Sequence, residues 1–212
     1  MKIYVLRHGE TSWNRQRLLQ GRSDVELNEN GRRLAKETAE GMADIPFDLV
    51  FTSPLKRAKE TAEIVLNGRS VPILEDERII EIAFGEDEGK PWRKSEGFAG
   101  DPNIYCFFEH PEQYQPGYGA ESIEALALRT ADFMKDICSR TELQDKTILV
   151  SSHGAAVRGI LNSLKTWKLE EFWGEGVAPN CGVAIIECRD GSPVLLEQNK
   201  IYYAADKVLT YT

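Results

Sequence analysis

Ile3-Tyr4-Val5-Leu6-Arg7-His8-Gly9, residues 3–9, runs four apolar side chains straight into a guanidinium, an imidazole and a glycine. A short continuous apolar run reads as a buried strand, so the cation and the imidazole fall where that strand leaves its sheet. In open α/β sheets, ligands bind just beyond the carboxyl ends of the strands. The pattern recurs far along the chain, where Ile148-Leu149-Val150 leads through Ser151-Ser152 to His153-Gly154 and then into helical spacing. The chain has three histidines, and two of them share this context.

Between and beyond these stretches, strand and helix signals alternate. Leu34, Thr38, Ala39 and Met42 mark one face of a helix that follows an Asn28–Gly31 turn signal. Leu49-Val50-Phe51 reads as a strand, and Ser53-Pro54 reads as a helix start, with Ser as N-cap and Pro in the first turn. The buried stripe of that helix is Leu55, Ala58, Ala62 and Val65. Residues 71–74 read as a further strand. Ile123, Leu126, Thr130, Met134 and Ile137 mark a helix, as do Val157, Ile160, Leu161 and Leu164. Residues 183–186 and 194–196 flank Asp190-Gly191, a hairpin signal. The alternation predicts an α/β fold: a three-layer α/β/α arrangement around a mostly parallel central sheet.

The 212 residues fit one domain, residues 1–212, with room for an insertion. Residues 82–120 break the rhythm with Pro91, Pro102, Pro111 and Pro116 and no sustained periodicity. They read as an inserted lid over the sheet edge. A net charge of −8 argues against nucleic acid as a partner, because binding a phosphate backbone needs a basic face. It also means that a bound anion must be held by local cations. No apolar run approaches 20 residues, so no membrane span is expected, and the amino-terminal residues do not resemble a signal peptide. Cys106, Cys138, Cys181 and Cys188 lack metal-ligand spacing and read as reduced thiols of a cytoplasmic protein.

Four ordered stretches carry the chemistry: Arg7-His8-Gly9-Glu10-Thr11; Thr52-Ser53-Pro54-Leu55-Lys56-Arg57-Ala58; Glu81-Ile82-Ala83-Phe84-Gly85 with Glu88-Gly89; and Ser152-His153-Gly154. Together they resemble the signature of the histidine phosphatase superfamily, in its phosphoglycerate-mutase-like branch, which includes broad-specificity and α-ribazole phosphatases. The resemblance implies that His8 is the nucleophile and forms a phosphohistidine. It implies that Arg7 and Arg57 grip the phosphoryl oxygens, a task suited to the guanidinium fork. His153 would donate to a phosphoryl oxygen, and Asn14, Gln20, Gly21 and Gly154 would complete the binding set. Glu81 would protonate the leaving alkoxide and then activate water; its apolar neighbours Ile79, Ile80, Ile82 and Phe84 suit a carboxyl that keeps its proton. Glu10 is a second candidate acid. No metal ligand set or cofactor is implied.

The expected function is therefore a phosphomonoesterase acting on a small phosphorylated metabolite, as a monomer or homodimer. A cofactor-dependent phosphoglycerate mutase is the alternative, and a non-catalytic module that binds phosphorylated ligands is a third reading. Residues 82–120 carry seven acidic side chains and three basic ones, Lys90, Arg93 and Lys94, together with eight aromatic rings. That balance suits a weakly charged, partly apolar leaving group better than a polyanion. Arg93-Lys94 is the feature that favours the mutase, as a grip for a carboxylate.

Overall fold

A computed structural model describes residues 1–92 and 101–208. Among the described residues, six strands form one sheet in the order β3-β2-β4-β1-β5-β6. They are β1 (Lys2–Arg7), β2 (Leu49–Thr52), β3 (Ile73–Glu75), β4 (Thr147–Ser152), β5 (Val183–Arg189) and β6 (Ser192–Lys200). β1 and β4 pair in parallel with Arg7 opposite Ser152, and β2 pairs in parallel with both β4 and β3. Only β5 runs against the others, so the sheet is mostly parallel, as the alternation predicts.

Side chains of a strand alternate between sheet faces, and β1 shows what each face meets. Ile3 and Val5 join a core with Phe133, Met134 and Ile137 of α5 (Ile123–Ser139) and Val157 and Ile160 of α6 (Gly154–Asn162). Tyr4 and Leu6 join a second core with Leu34 and Ala35 of α2 (Glu29–Gly41) and Ala62 and Val65 of α3 (Lys56–Leu66). Helices therefore cover both faces, which makes three layers. Each large apolar side chain so buried contributes about 1.5–3 kcal/mol.

Two local expectations need correction. Ser53 does not cap α3: the helix starts at Lys56, Leu55 occupies the cap position without a side-chain bond, and Ser53 is turned into the site described below. The third strand begins at Ile73 rather than Val71, after Pro72, which lacks an N–H and offers only its carbonyl, to which Val50 N–H donates. The segment 82–120, read as an inserted lid, holds a helix within it. Asp101 caps α4 (Pro102–Glu109), which buries Ile104 and Phe107; at eight residues it is too short to show a repeated stripe. The hairpin is as expected, with Asp190 (φ 50°) and Gly191 (φ 75°) both left-handed, as a type I′ turn requires. A short helix that the sequence reading passed over, α1 (Ser12–Gln16), follows β1 and is closed by a Thr11–Asn14 capping box.

α4 carries a third core. Ile104 and Phe107 pack with Ile82, Phe84, Ile123, Ala155 and Phe172. Phe84 and Phe107 meet edge to face at 5.0 Å, and the Trp173 indole donates to the Phe107 carbonyl at 2.6 Å. This cluster stands beyond the carboxyl ends of β1 and β4, where the two histidines emerge.

Candidate active site

Backbone hydrogen bonds tie the strand ends together. His8 N–H donates to Ser152 O at 2.9 Å, and Ser53 N–H donates to Ser151 O at 3.0 Å. The ends of β1, β4 and β2 thus deliver His8, His153 and Ser53 side by side. The two imidazole rings lie 5.2 Å apart between centroids, at 57°.

His8 is buried, and its Nδ1 sits 2.6 Å from the Gly9 carbonyl oxygen. A carbonyl only accepts, so Nδ1 carries the proton and Nε2 keeps its lone pair. Burial, reinforced by Arg57 and Arg7, holds the His8 pKa well below the ordinary imidazole value, against a smaller upward pull from the Gly9 bond. The ring is therefore neutral at pH 7. Its own carbonyl is fixed by Asn180 Nδ2 at 3.1 Å and Cys181 N at 3.2 Å. Gly9 is needed for packing, because a Cβ there would lie 2.7 Å from the Gly31 carbonyl oxygen at the start of α2.

Arg57 projects from the first turn of α3 and is fully buried. Its Nη1 and Nη2 donate to the carbonyls of Ser23 and Gly21, each at 2.7 Å, and its Nε donates to His153 Nδ1 at 3.2 Å. Burial pushes its pKa down to about 10, which leaves it charged at pH 7. Arg7 Nη1 donates to Ala178 O at 2.5 Å. The loop holding Arg57 is fastened by Glu88, whose carboxylate accepts from Arg22 N at 2.9 Å, Ser23 N at 2.8 Å and Phe84 N at 3.2 Å. Gly21 (φ 52°) closes that loop, and a Cβ there would meet Glu88 Oε1 at 2.1 Å.

His153 precedes α6, as the sequence suggested. Its Nε2 lies 2.7 Å from Ser53 Oγ. Burial, followed by Arg57 and His8, holds its pKa well below the ordinary value. Glu81 is placed differently from expectation. Its carboxylate is met by backbone donors, accepting from Ile82 N at 3.0 Å, Ala156 N at 3.1 Å and Ala155 N at 3.3 Å. Two of these donors are unpaired N–H groups of the first turn of α6, which favour an anion. The backbone carrying Glu81 is fixed by Arg129, which donates to the carbonyls of Arg78, Ile80 and Glu81 and pairs with Glu121 at 2.7 Å.

A cavity of about 430 Å³ opens here. Arg7, His8, Asn14, Gln20, Gly21, Arg57, Glu81 and Gly154 line it, and His153 stands just behind, against Arg57. Thr11 Oγ1 donates to Gln20 Oε1 at 2.9 Å, and Thr11 N donates to Asn14 Oδ1 at 3.1 Å, so protein donors hold both amide oxygens. The far half of the cavity is walled by Leu18, Phe84, Trp92, Phe107, Phe108 and Trp173, with Glu109 and Glu175. Among the described residues, Arg7 and Arg57 are the cations that line it. Arg93 and Lys94 lie outside the described residues.

Glu10 is drawn away from the cavity, with Asn28 Nδ2 donating to it at 2.7 Å. His110 ends α4 in an exposed position. The sequence reading missed Asn180, Arg129 and the 173–177 wall. Asn180 and Arg129 act on backbone carbonyls, and the wall is built from packing distant in sequence; neither leaves a local pattern. Ser53 had a signal that pointed to the wrong role.

Residues 3–201 match the histidine phosphatase superfamily (branch 1), and the chain belongs to that family. It is 33% identical over 162 residues to the uncharacterized phosphatase PhoE of Bacillus subtilis, covering 76% of each chain. It is 31% identical over 165 residues to 2,3-bisphosphoglycerate-dependent phosphoglycerate mutase 2 of Gloeobacter violaceus, covering 76% of this chain and 74% of the mutase. The solved structure of Bacillus stearothermophilus YhfR superposes with a TM-score of 0.85 at 32% identity, covering 94% of this chain and 97% of that one. The protein is an enzyme of histidine-phosphatase type, whose relatives are phosphatases and phosphoglycerate mutases.

Proposed function

We propose that this enzyme hydrolyses small phosphomonoesters through a phosphohistidine at His8 Nε2. One observation carries the reading: the Gly9 carbonyl accepts a hydrogen bond from His8 Nδ1–H, and the Nε2 lone pair of the neutral ring is left beside two guanidinium groups. Arg7 and Arg57 hold the phosphoryl oxygens, assisted by His153, the first-turn N–H groups at Gly154, and the Asn14 and Gln20 amide NH₂ ends. His8 Nε2 bonds to phosphorus as the ester P–O bond breaks, and Glu81 gives its proton to the departing alkoxide. Water then attacks phosphorus and gives its proton to Glu81, while the P–N bond breaks and phosphate leaves.

The wall beyond the phosphate favours hydrolysis over mutase chemistry, because its described charges, Glu109 and Glu175, repel a second anionic group. We read residues 82–120 as a lid, of which Phe84, Trp92, Phe107 and Phe108 line this wall and select a partly apolar, weakly charged leaving group. The phosphate charge is met by Arg7 and Arg57, so no metal or cofactor enters the scheme, and the four free thiols fit a cytoplasmic setting. A panel of phosphomonoesters, with His8→Ala as the blank, tests the proposal. Turnover of aryl and neutral sugar phosphates above that of phosphoglycerates supports it, and comparable turnover by the variant overturns it. The mutase reading keeps the support of the phosphoglycerate mutases among the relatives. It requires priming by 2,3-bisphosphoglycerate and phosphoryl transfer between glycerate positions.

A further inference from the structure

We infer that Ser53 is a positioning residue that sets which nitrogen of His153 carries the proton, and so lets a neutral imidazole donate to the bound phosphoryl group. The inference rests on the phosphatase reading above. A neutral imidazole has one N–H and one lone pair. At rest, Arg57 Nε–H, which can only donate, faces His153 Nδ1 at 3.2 Å. Nδ1 is therefore the acceptor, and the proton sits on Nε2, directed at Ser53 Oγ 2.7 Å away. In that form His153 offers a phosphoryl oxygen nothing, because oxyanions only accept.

Donation from Nδ1 can arise in two ways. Double protonation is opposed by burial and by Arg57, His8, Arg129 and Arg7. The other route moves the single proton: one leaves Nε2 and one binds Nδ1, both through water, with no net uptake. That route strands a lone pair on Nε2 inside a fully buried site unless a donor meets it. Ser53 is the side chain bonded to Nε2, and its hydroxyl can rotate to donate as readily as it accepts. Leu55 N–H donates to the same oxygen at 3.3 Å, which supplies one acceptor role and leaves the O–H free to turn towards the ring. Ser53 N–H is fixed to the Ser151 carbonyl, so the hydroxyl stays at one place while its proton turns. Arriving phosphate takes Arg57 Nε–H for itself, and the imidazole proton moves to the vacated side.

The test is ¹⁵N NMR of the enzyme labelled at histidine, with and without inorganic phosphate. Free enzyme is expected to show His153 protonated at Nε2. Phosphate-bound enzyme is expected to show it protonated at Nδ1 alone, with His8 unchanged in tautomer but shifted by the ligand. Protonation of both nitrogens, or persistence at Nε2, overturns the inference. A His8 signal that ignores phosphate would instead strike at the phosphatase reading itself. In kinetics, Ser53→Ala should lower kcat/KM about 100-fold, and Ser53→Thr should recover most of it. Failure of Ser53→Thr to recover activity contradicts the assignment, since that variant keeps the hydroxyl.

Discussion

The two halves of the cavity are built on opposite principles. The phosphate half is polar and braced, its side chains leaving the ends of adjacent strands and held by backbone carbonyls and N–H groups. Arg57 alone spans Gly21, Ser23 and His153. The leaving-group half is aromatic. Phe108 and Trp173 stack at 5.5 Å and 19°, and Phe107 meets Trp173 edge to face at 5.2 Å. A bond-forming step needs fixed geometry, which the strand ends give. A wall of packed rings sets shape and polarity and leaves the chemistry alone.

That contrast predicts how substitutions divide. His8→Ala should cost the most, at least about 10⁴-fold in kcat on every phosphomonoester, since removing a nucleophile abolishes the covalent route; residual turnover measured with p-nitrophenyl phosphate checks it. Next comes Arg57→Ala, with a loss of about 10²–10³ in kcat/KM that Arg57→Lys does not restore, because an ammonium cannot span three acceptors in a plane. In the other half, Phe108→Ala should raise KM for an aryl phosphate about tenfold with kcat little changed, and leave a methyl ester nearly unaffected. Equal loss on both esters would erase the distinction between the halves.

A separate effect is on stability. Both histidines are buried with pKa values held well below 6.5 by burial first and by Arg57 next. The unfolded chain takes up protons as pH falls through about 6.5, and the folded one does not. Stability should therefore be full above that value and decline below it, by about 1.4 kcal/mol per pH unit for each histidine. Urea titrations between pH 7 and 5 measure the slope. Inorganic phosphate should add stability across the same range, and a flat profile contradicts the buried neutral state.

The polar half was the legible one. Apolar runs that end in Arg7-His8 and Ser152-His153 are local patterns, and parallel pairing alone makes them neighbours. The helix stripes were equally readable, since periodicity reports which face is buried, as for Leu126, Met134 and Ile137 of α5. The aromatic wall was not: Phe84, Phe107 and Trp173 come from three segments that meet only through tertiary packing. Ser53 shows a subtler failure. Ser-Pro is a sound helix-start signal, but here the hydroxyl meets His153 across the sheet edge and the helix begins at Lys56. For Glu81 the neighbouring residue types suggested an apolar setting, whereas the first turn of a helix 74 positions further along supplies donors.

The central claim is most directly tested by trapping the covalent intermediate. Enzyme quenched during turnover of a ³²P-labelled phosphomonoester should carry acid-labile, alkali-stable label, and peptide mapping should place it on His8. Label that is absent, that sits on another residue, or that persists in His8→Ala would contradict the account.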